Sequence, residues 1–107
     1  MSWVVTLLNE NVVAELSALP ADMRARFSRI VMLIEKHGLE RIHEPHVKHL
    51  EDRLWEIRLN GRDGIARAIY VTASGKRVVV VRVFTKKSQK TPHSELEIAR
   101  TRAKEIK

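Results

Sequence analysis

The chain has 107 residues, 44% of them apolar, carries a net charge of +7 and contains no cysteine. This length and composition fit one globular domain with a modest core, and they exclude a disordered chain, a disulfide framework and thiolate chemistry. The basic balance points to nucleic acid or another polyanion as a partner.

The opening "MSWVVTLLNE" holds a short apolar run with no basic region before it. It is too short to cross a bilayer and lacks a leader pattern, so no membrane association is expected and the absence of cysteine fits a reducing cytoplasm. Residues 2–8 are predicted as a first or edge strand. Residues 10–18 predict a short helix with Val12, Val13, Leu16 and Leu19 near one side. Pro20 then opens a second helix, where a missing N–H costs nothing. Met23, Phe27, Ile30 and Ile34 fall on one face of that helix, and Gly38 after Lys36-His37 ends it, giving a helical hairpin.

The second half is strand-like. "VKHL" reads as a possible short strand. "LWEIRL" alternates, with Trp55, Ile57 and Leu59 to one side and Glu56 and Arg58 to the other; Trp55 and Phe27 are read as core. "NGRDG" and "TASGKR" are turn signals that bound a strand "IARAIYV". "VVVVRVF" is apolar on both faces, as for a central strand covered on one side by helices. The last helix runs from about residue 92 to 106, with Leu96, Ala99, Ala103 and Ile106 on one face. Ser94 and Glu97 have capping-box spacing, and Thr91-Pro92 offers an alternative start. The expected order is β-α-α-β-β-β-α, a single α+β domain over residues 1–107 with a mainly antiparallel sheet.

The positive charge is concentrated. From Arg58 to Lys90 stand nine basic residues and one acid, Asp63, whereas the rest of the chain is nearly balanced. Arg58, Arg67 and Arg82 lie within strands, where each must reach water or an anion. Neighbouring strands would bring Arg58 and Arg67 together near Lys86, Lys87 and Lys90, forming a basic floor suited to phosphate. Ordinary ion pairs at strand ends are the alternative. RNA brings its own nucleophile, the 2′-hydroxyl. Its cleavage needs that group deprotonated, the phosphate charge stabilised and the leaving 5′-oxygen protonated. Arginine stabilises charge but is a poor acid; crowded lysine or histidine can move protons. Arg58 and Arg67 are therefore candidates for the phosphate, and Lys86, Lys87 and His93 for proton transfer or substrate placement. Arg82 and Lys90 add substrate-binding charge. Tyr70 and Phe84 can either stack on bases or lie in the core. In "IHEPHVKHLED" the residues His43, His46 and His49 are spaced three apart, but Pro45 interrupts a helix that would align them, so no metal or other cofactor is expected.

"LWEIRLNGRDGIARAIYV" followed by "VVVVRVFTKKSQKTPHSELEIARTRAKE" resembles the phage-derived, HigB-like branch of the RelE/ParE toxin superfamily. The resemblance is densest over residues 54–102, and its most specific piece is Phe-x-Lys-Lys-x-x-Lys-Thr-Pro. It implies a microbial-RNase-type fold and a toxin of a type II toxin–antitoxin system that blocks translation, typically as an endoribonuclease cutting mRNA in the ribosomal A site without a metal. It also implies a cognate antitoxin, usually a small helix-turn-helix protein. Arg58, Arg67, Lys86 and Lys87 fall where the family's active-site cations lie. His93 falls near the position of a base-stacking tyrosine, a departure from the family pattern. A ParE-like DNA gyrase inhibitor and a non-catalytic RNA- or DNA-binding module are the alternatives.

Overall fold

The computed structural model describes residues 2–42, 46–86 and 90–106, with the backbone alone for Lys86. Strand β1 (Val4–Leu7) leads into helices α1 (Glu10–Ser17) and α2 (Ala21–His37). Strands β2 (Val47–Glu51), β3 (Leu54–Gly61), β4 (Gly64–Ala73) and β5 (Arg77–Lys86) follow, and α3 (His93–Ala103) completes the described chain. The sheet runs β1-β5-β4-β3-β2. Only the β1–β5 pair is parallel among these neighbours. The mainly antiparallel α+β architecture is therefore as expected. The expected order omitted one strand: "VKHL" forms β2, pairing Val47 with Ile57 and His49 with Trp55.

Local chemistry sets the helix ends. Asn9 caps α1 by accepting the Val12 N–H at 3.1 Å, relieving an amide that no earlier turn can satisfy. Pro20 precedes α2, and Gly38 closes it at φ +92, a conformation that costs glycine little. α3 starts after Pro92, whose carbonyl accepts from Glu95 and Leu96. Ser94 lies inside the helix, so the Thr91-Pro92 start is the one used and the capping box is not formed.

The sheet separates two apolar layers. Met23, Phe27, Ile30 and Ile34 of α2, with Val12 and Leu19, pack on Ile57, Leu59, Tyr70, Val78, Val80 and Val83. On the other face Ala99, Ala103 and Ile106 pack on Leu54, Ile69, Val71, Val79, Val81 and Phe84. Strand β5 is thus covered on both faces, not one, which is why its valine run shows no polar alternation. Val13 is 46% exposed and Trp55 38% exposed. Periodicity alone places both on the core side. Trp55 instead lies at the open end of the first layer, its ring centroid 4.8 Å from that of His49.

The β5 register breaks between Ile69 and Tyr70 of β4: Ile69 faces Arg82 and Tyr70 faces Val80. Val81 is the extra residue of a bulge, a device that re-aims the neighbouring side chain. Arg82 accordingly reaches Glu15 of α1 at 2.7 Å and Glu95 of α3 at 2.6 Å. Strand β1 pairs only as far as Val80, so the β5 edge beyond it must be satisfied otherwise. Glu15 accepts the Val83 N–H at 3.1 Å, and Arg102 donates to the Val81 carbonyl at 2.8 Å and to Glu15 at 3.0 Å. Side chains from α1 and α3 thereby close a strand edge that would otherwise be open to pairing. At the far hairpin, Gly61 sits so close to α2 that a Cβ there would come 2.7 Å from the Met23 Cγ.

Burial works to raise the Glu15 carboxyl, but hydrogen bonds from Arg102 and Val83 and the charges of Arg82 and Arg102 outweigh it and hold the group below its ordinary value. A depressed folded value stabilises the protein above the ordinary value of 4.5, and that contribution is lost as pH falls through the folded value. Glu15→Gln is expected to cost about 2 kcal/mol at neutral pH. Urea midpoints of wild type and variant should converge as pH drops below 4.5; parallel curves would show that Glu15 carries no such charge-dependent bond.

Candidate functional site

The floor of the site is the β3–β4 ladder. Arg58 and Arg67 are direct register partners, so two guanidinium groups share one face of the sheet, where like charges repel. Glu56, one side-chain step back on the same face of β3, resolves the conflict. Its carboxylate accepts from Arg67 Nη1 at 2.7 and 3.1 Å. The Thr91 hydroxyl donates to the same carboxylate at 3.0 Å. Arg58 Nε stands 3.7 Å from Glu56 Oε1, a Coulombic contact longer than a hydrogen bond. Glu56 and Arg67 are both 0% exposed, whereas the Arg58 side chain keeps 22% of its surface open.

This arrangement sorts the sequence-predicted residues. Arg58 is at the surface of the site. Arg67 lies beneath it, facing Phe84 in register and bound to Glu56. Arg82 is bound to Glu15 and Glu95; the Glu95 hydrogen bond, aided by both carboxylate charges, outweighs burial and makes the group still harder to deprotonate. Phe84 is 8% and Tyr70 1% exposed, so both are packed in the core. Burial pushes the Tyr70 phenol well above its usual value. His93 opens α3 with its side chain 77% exposed, 3.5 Å from Glu97. Lys86 ends β5 opposite Ile65, and Lys90 is exposed. Lys87 lies outside the described residues.

The expectation of an almost acid-free cluster is corrected here. The stretch from Arg58 to Lys90 is poor in acids along the chain, but the fold brings Glu15, Glu56 and Glu95 onto its arginines. Arg58 keeps part of its side chain open, and Arg62, Lys76, Arg77 and Lys90 are exposed. Sequence reading missed Glu56 and Thr91. Glu56 falls just outside the basic stretch, and Thr91 reads only as a helix start; the alternation that puts Glu56 and Arg58 on one side of β3 was the usable signal.

His43 lies outside the described residues, and the His49 ring is bonded to the Asp52 carbonyl at 2.7 Å. Among the described residues no group of three or more metal-ligating side chains comes together. No helix among them is long and apolar enough to cross a membrane. A separate hollow of about 800 Å³ opens beside Trp55 and His49, floored by Tyr70.

The profile of a family described as "Phage derived protein Gp49-like (DUF891)" matches residues 14–104. Comparison with curated proteins returns no match. Among solved structures, RelE in the RelE–RelB complex of the archaeon Pyrococcus horikoshii OT3 is similar at a TM-score of 0.61 and 24% identity, over 79% of this chain and 96% of that one. A doubly substituted mutant of the E. coli toxin RelE in the free state is similar at a TM-score of 0.67 and 19% identity, over 95% and 98% of the two chains. The fold is thus that of RelE.

The buried pair makes a stability prediction. Glu56→Ala leaves the Arg67 charge buried without its carboxylate and is expected to cost about 3–5 kcal/mol. Replacing the pair together, Glu56→Leu with Arg67→Met, should recover most of that loss. Urea unfolding measures both; a loss under about 1 kcal/mol for Glu56→Ala would show that the pair holds nothing.

Proposed function

The chain belongs to the Gp49-like family of phage-derived proteins, and we propose that it is the toxin of a toxin–antitoxin pair that stops translation by cutting mRNA on the ribosome. The observation that carries this reading is Arg58, whose side chain keeps 22% of its surface open on a RelE fold above a neutralised Glu56–Arg67 pair. A guanidinium fixed there can stabilise a phosphate without first reorganising.

The proposed reaction needs nothing beyond RNA and protein side chains. The 2′-hydroxyl loses its proton to a base and its oxygen attacks the adjacent phosphorus. The O2′–P bond forms as the P–O5′ bond breaks, leaving a 2′,3′-cyclic phosphate, and an acid protonates the departing 5′-oxygen. Arg58 holds the non-bridging oxygens as their charge grows. Lys86, Lys87 and His93 are the proton carriers or substrate-placing groups, and Lys90 adds attraction for the backbone. Arg67 and Arg82, with Phe84 and Tyr70, hold the scaffold on which these groups stand. The ribosome supplies the geometry of the mRNA, so a small protein with a shallow site suffices.

The partner in this reading is a cognate antitoxin, as the RelE–RelB pairing of the archaeal protein suggests. It would act in the cytoplasm, where ribosomes and mRNA are, and it would cover the Arg58–His93 face or block its access to the ribosome by bulk.

Primer extension on a reporter mRNA in a reconstituted translation reaction tests the proposal. Wild type should cut only with ribosomes present. Arg58→Ala should lower the rate by about 100-fold or more. Arg58→Lys should recover part of the rate, since an ammonium keeps the charge but not the fork. Blocked translation without cuts would make the protein a binding inhibitor. Neither cuts nor block would make gyrase inhibition the assay to run.

A further inference from the structure

Glu56 and Thr91 have no place in the proton transfers above, yet they occupy its centre. The Glu56 carboxylate is divided. One oxygen, Oε1, takes Arg67 at 2.7 Å and faces Arg58 at 3.7 Å. The other, Oε2, takes the Thr91 hydroxyl at 3.0 Å and Arg67 at 3.1 Å. Arg67 Nη1 also reaches Thr91 Oγ1 at 3.4 Å. A carboxylate beside a lone arginine would bind it bidentately and cover the edge that phosphate needs. Arg67 competes for the same oxygens from the buried side and keeps Glu56 from closing on Arg58.

The other half of the arrangement lies in the chain after Thr91. Pro92 has φ −62 and ψ 147, a ring-fixed link, and its carbonyl accepts the first helical bonds of α3, from Glu95 at 3.1 Å and Leu96 at 3.2 Å. The ring fixes the Pro92 φ, and the helical bonds hold its carbonyl, so the link between Thr91 and His93 has little freedom at Pro92. The far end of α3 is held separately, by buried Ala99 and Ala103 and by the Arg102–Glu15 bond. The near end, which carries His93, is tied to β5 by the Arg82–Glu95 ion pair and to the floor of the site by the Thr91 hydroxyl.

We infer that Glu56 and Thr91 are positioning residues of the proposed nuclease: one buried carboxylate sets both the reach of Arg58 and, through Thr91, the place of the α3 start and of His93. This rests on the ribonuclease reading. The two halves of the site come from elements far apart in sequence, β3 and α3, and this carboxylate–hydroxyl bond joins them directly. Its loss lets the phosphate-holding arginine and the group at the α3 start drift relative to each other, which lowers the rate of the chemical step without changing how much charge attracts RNA.

Thr91→Val tests this, because it keeps the side-chain shape and removes only the hydroxyl. Glu56→Gln is the sharper change but strips the buried Arg67 of its counter-charge and risks the fold. Single-turnover cleavage on programmed ribosomes should show kcat lowered about tenfold to a hundredfold in Thr91→Val, with KM within about twofold of wild type. Thr91→Ser, which keeps the hydroxyl, should cut within about threefold of wild type. Amide exchange at Glu95 and Leu96 should quicken in Thr91→Val and not in Thr91→Ser. Wild-type rates in Thr91→Val, a loss confined to KM, or a Thr91→Ser as poor as Thr91→Val would each overturn the inference while leaving the nuclease reading intact. A wild type that cuts nothing overturns both.

Discussion

The ionic bond between Glu56 and Arg67 is the constraint around which this fold is arranged. Two charges with 0% exposure in the middle of a sheet are tolerable only if nearly every hydrogen-bonding direction is filled. That requirement places β3 against β4 in one register, because Arg67 and Glu56 must reach each other diagonally across the ladder. It also brings Thr91 down to the sheet, since Glu56 Oε2 takes a second donor there. A one-residue slip of β3 would turn Glu56 and Arg58 to the α1–α2 face and bury both in an apolar layer.

The remaining arginines obey the same economy of charge in a wetter setting. Arg82 and Arg102 share Glu15, and Arg82 also holds Glu95. These bonds stand at the side of the sheet where β1 has ended, so they serve both as ion pairs and as substitutes for a missing strand. Arg67 and Arg82 are neutralised internally, whereas the Arg58 side chain keeps 22% of its surface open.

Much of this was legible beforehand. The face of α2 was read correctly because Met23, Phe27, Ile30 and Ile34 repeat without interruption and all pack inward. The strand positions of Arg58 and Arg67, and their approach, followed from alternation and the "NGRDG" turn. Trp55 was misread because alternation gives the side of a sheet but not how far a helix extends over it; α2 leaves that end of β3 uncovered. The second layer over β5 was missed because a run of valines looks the same with one helix above it or with helices on both sides. Glu15 could not be foreseen as a partner of Arg82, since they are 67 residues apart and meet only because a bulge turns the arginine toward the edge. The RelE-like fold, by contrast, was already carried by the motif from Phe84 to Pro92.

The closure of the β5 edge has a consequence for how the chain acquires its shape. Glu15 and Arg102 are 87 residues apart, and β1 meets β5 in parallel, Val4 beside Arg77. The β3–β4–β5 meander needs only short turns and can form from local contacts. The β1 pairing and the Glu15 bonds need the long loop between them closed first, and such contacts come at a high entropic cost in the transition state. Contact order favours the meander as the nucleus, with the first strand and α1 docking onto it afterwards. Until it docks, β5 presents bare N–H and C=O groups along one side, so the interval before α1 arrives is when this chain is most open to self-association.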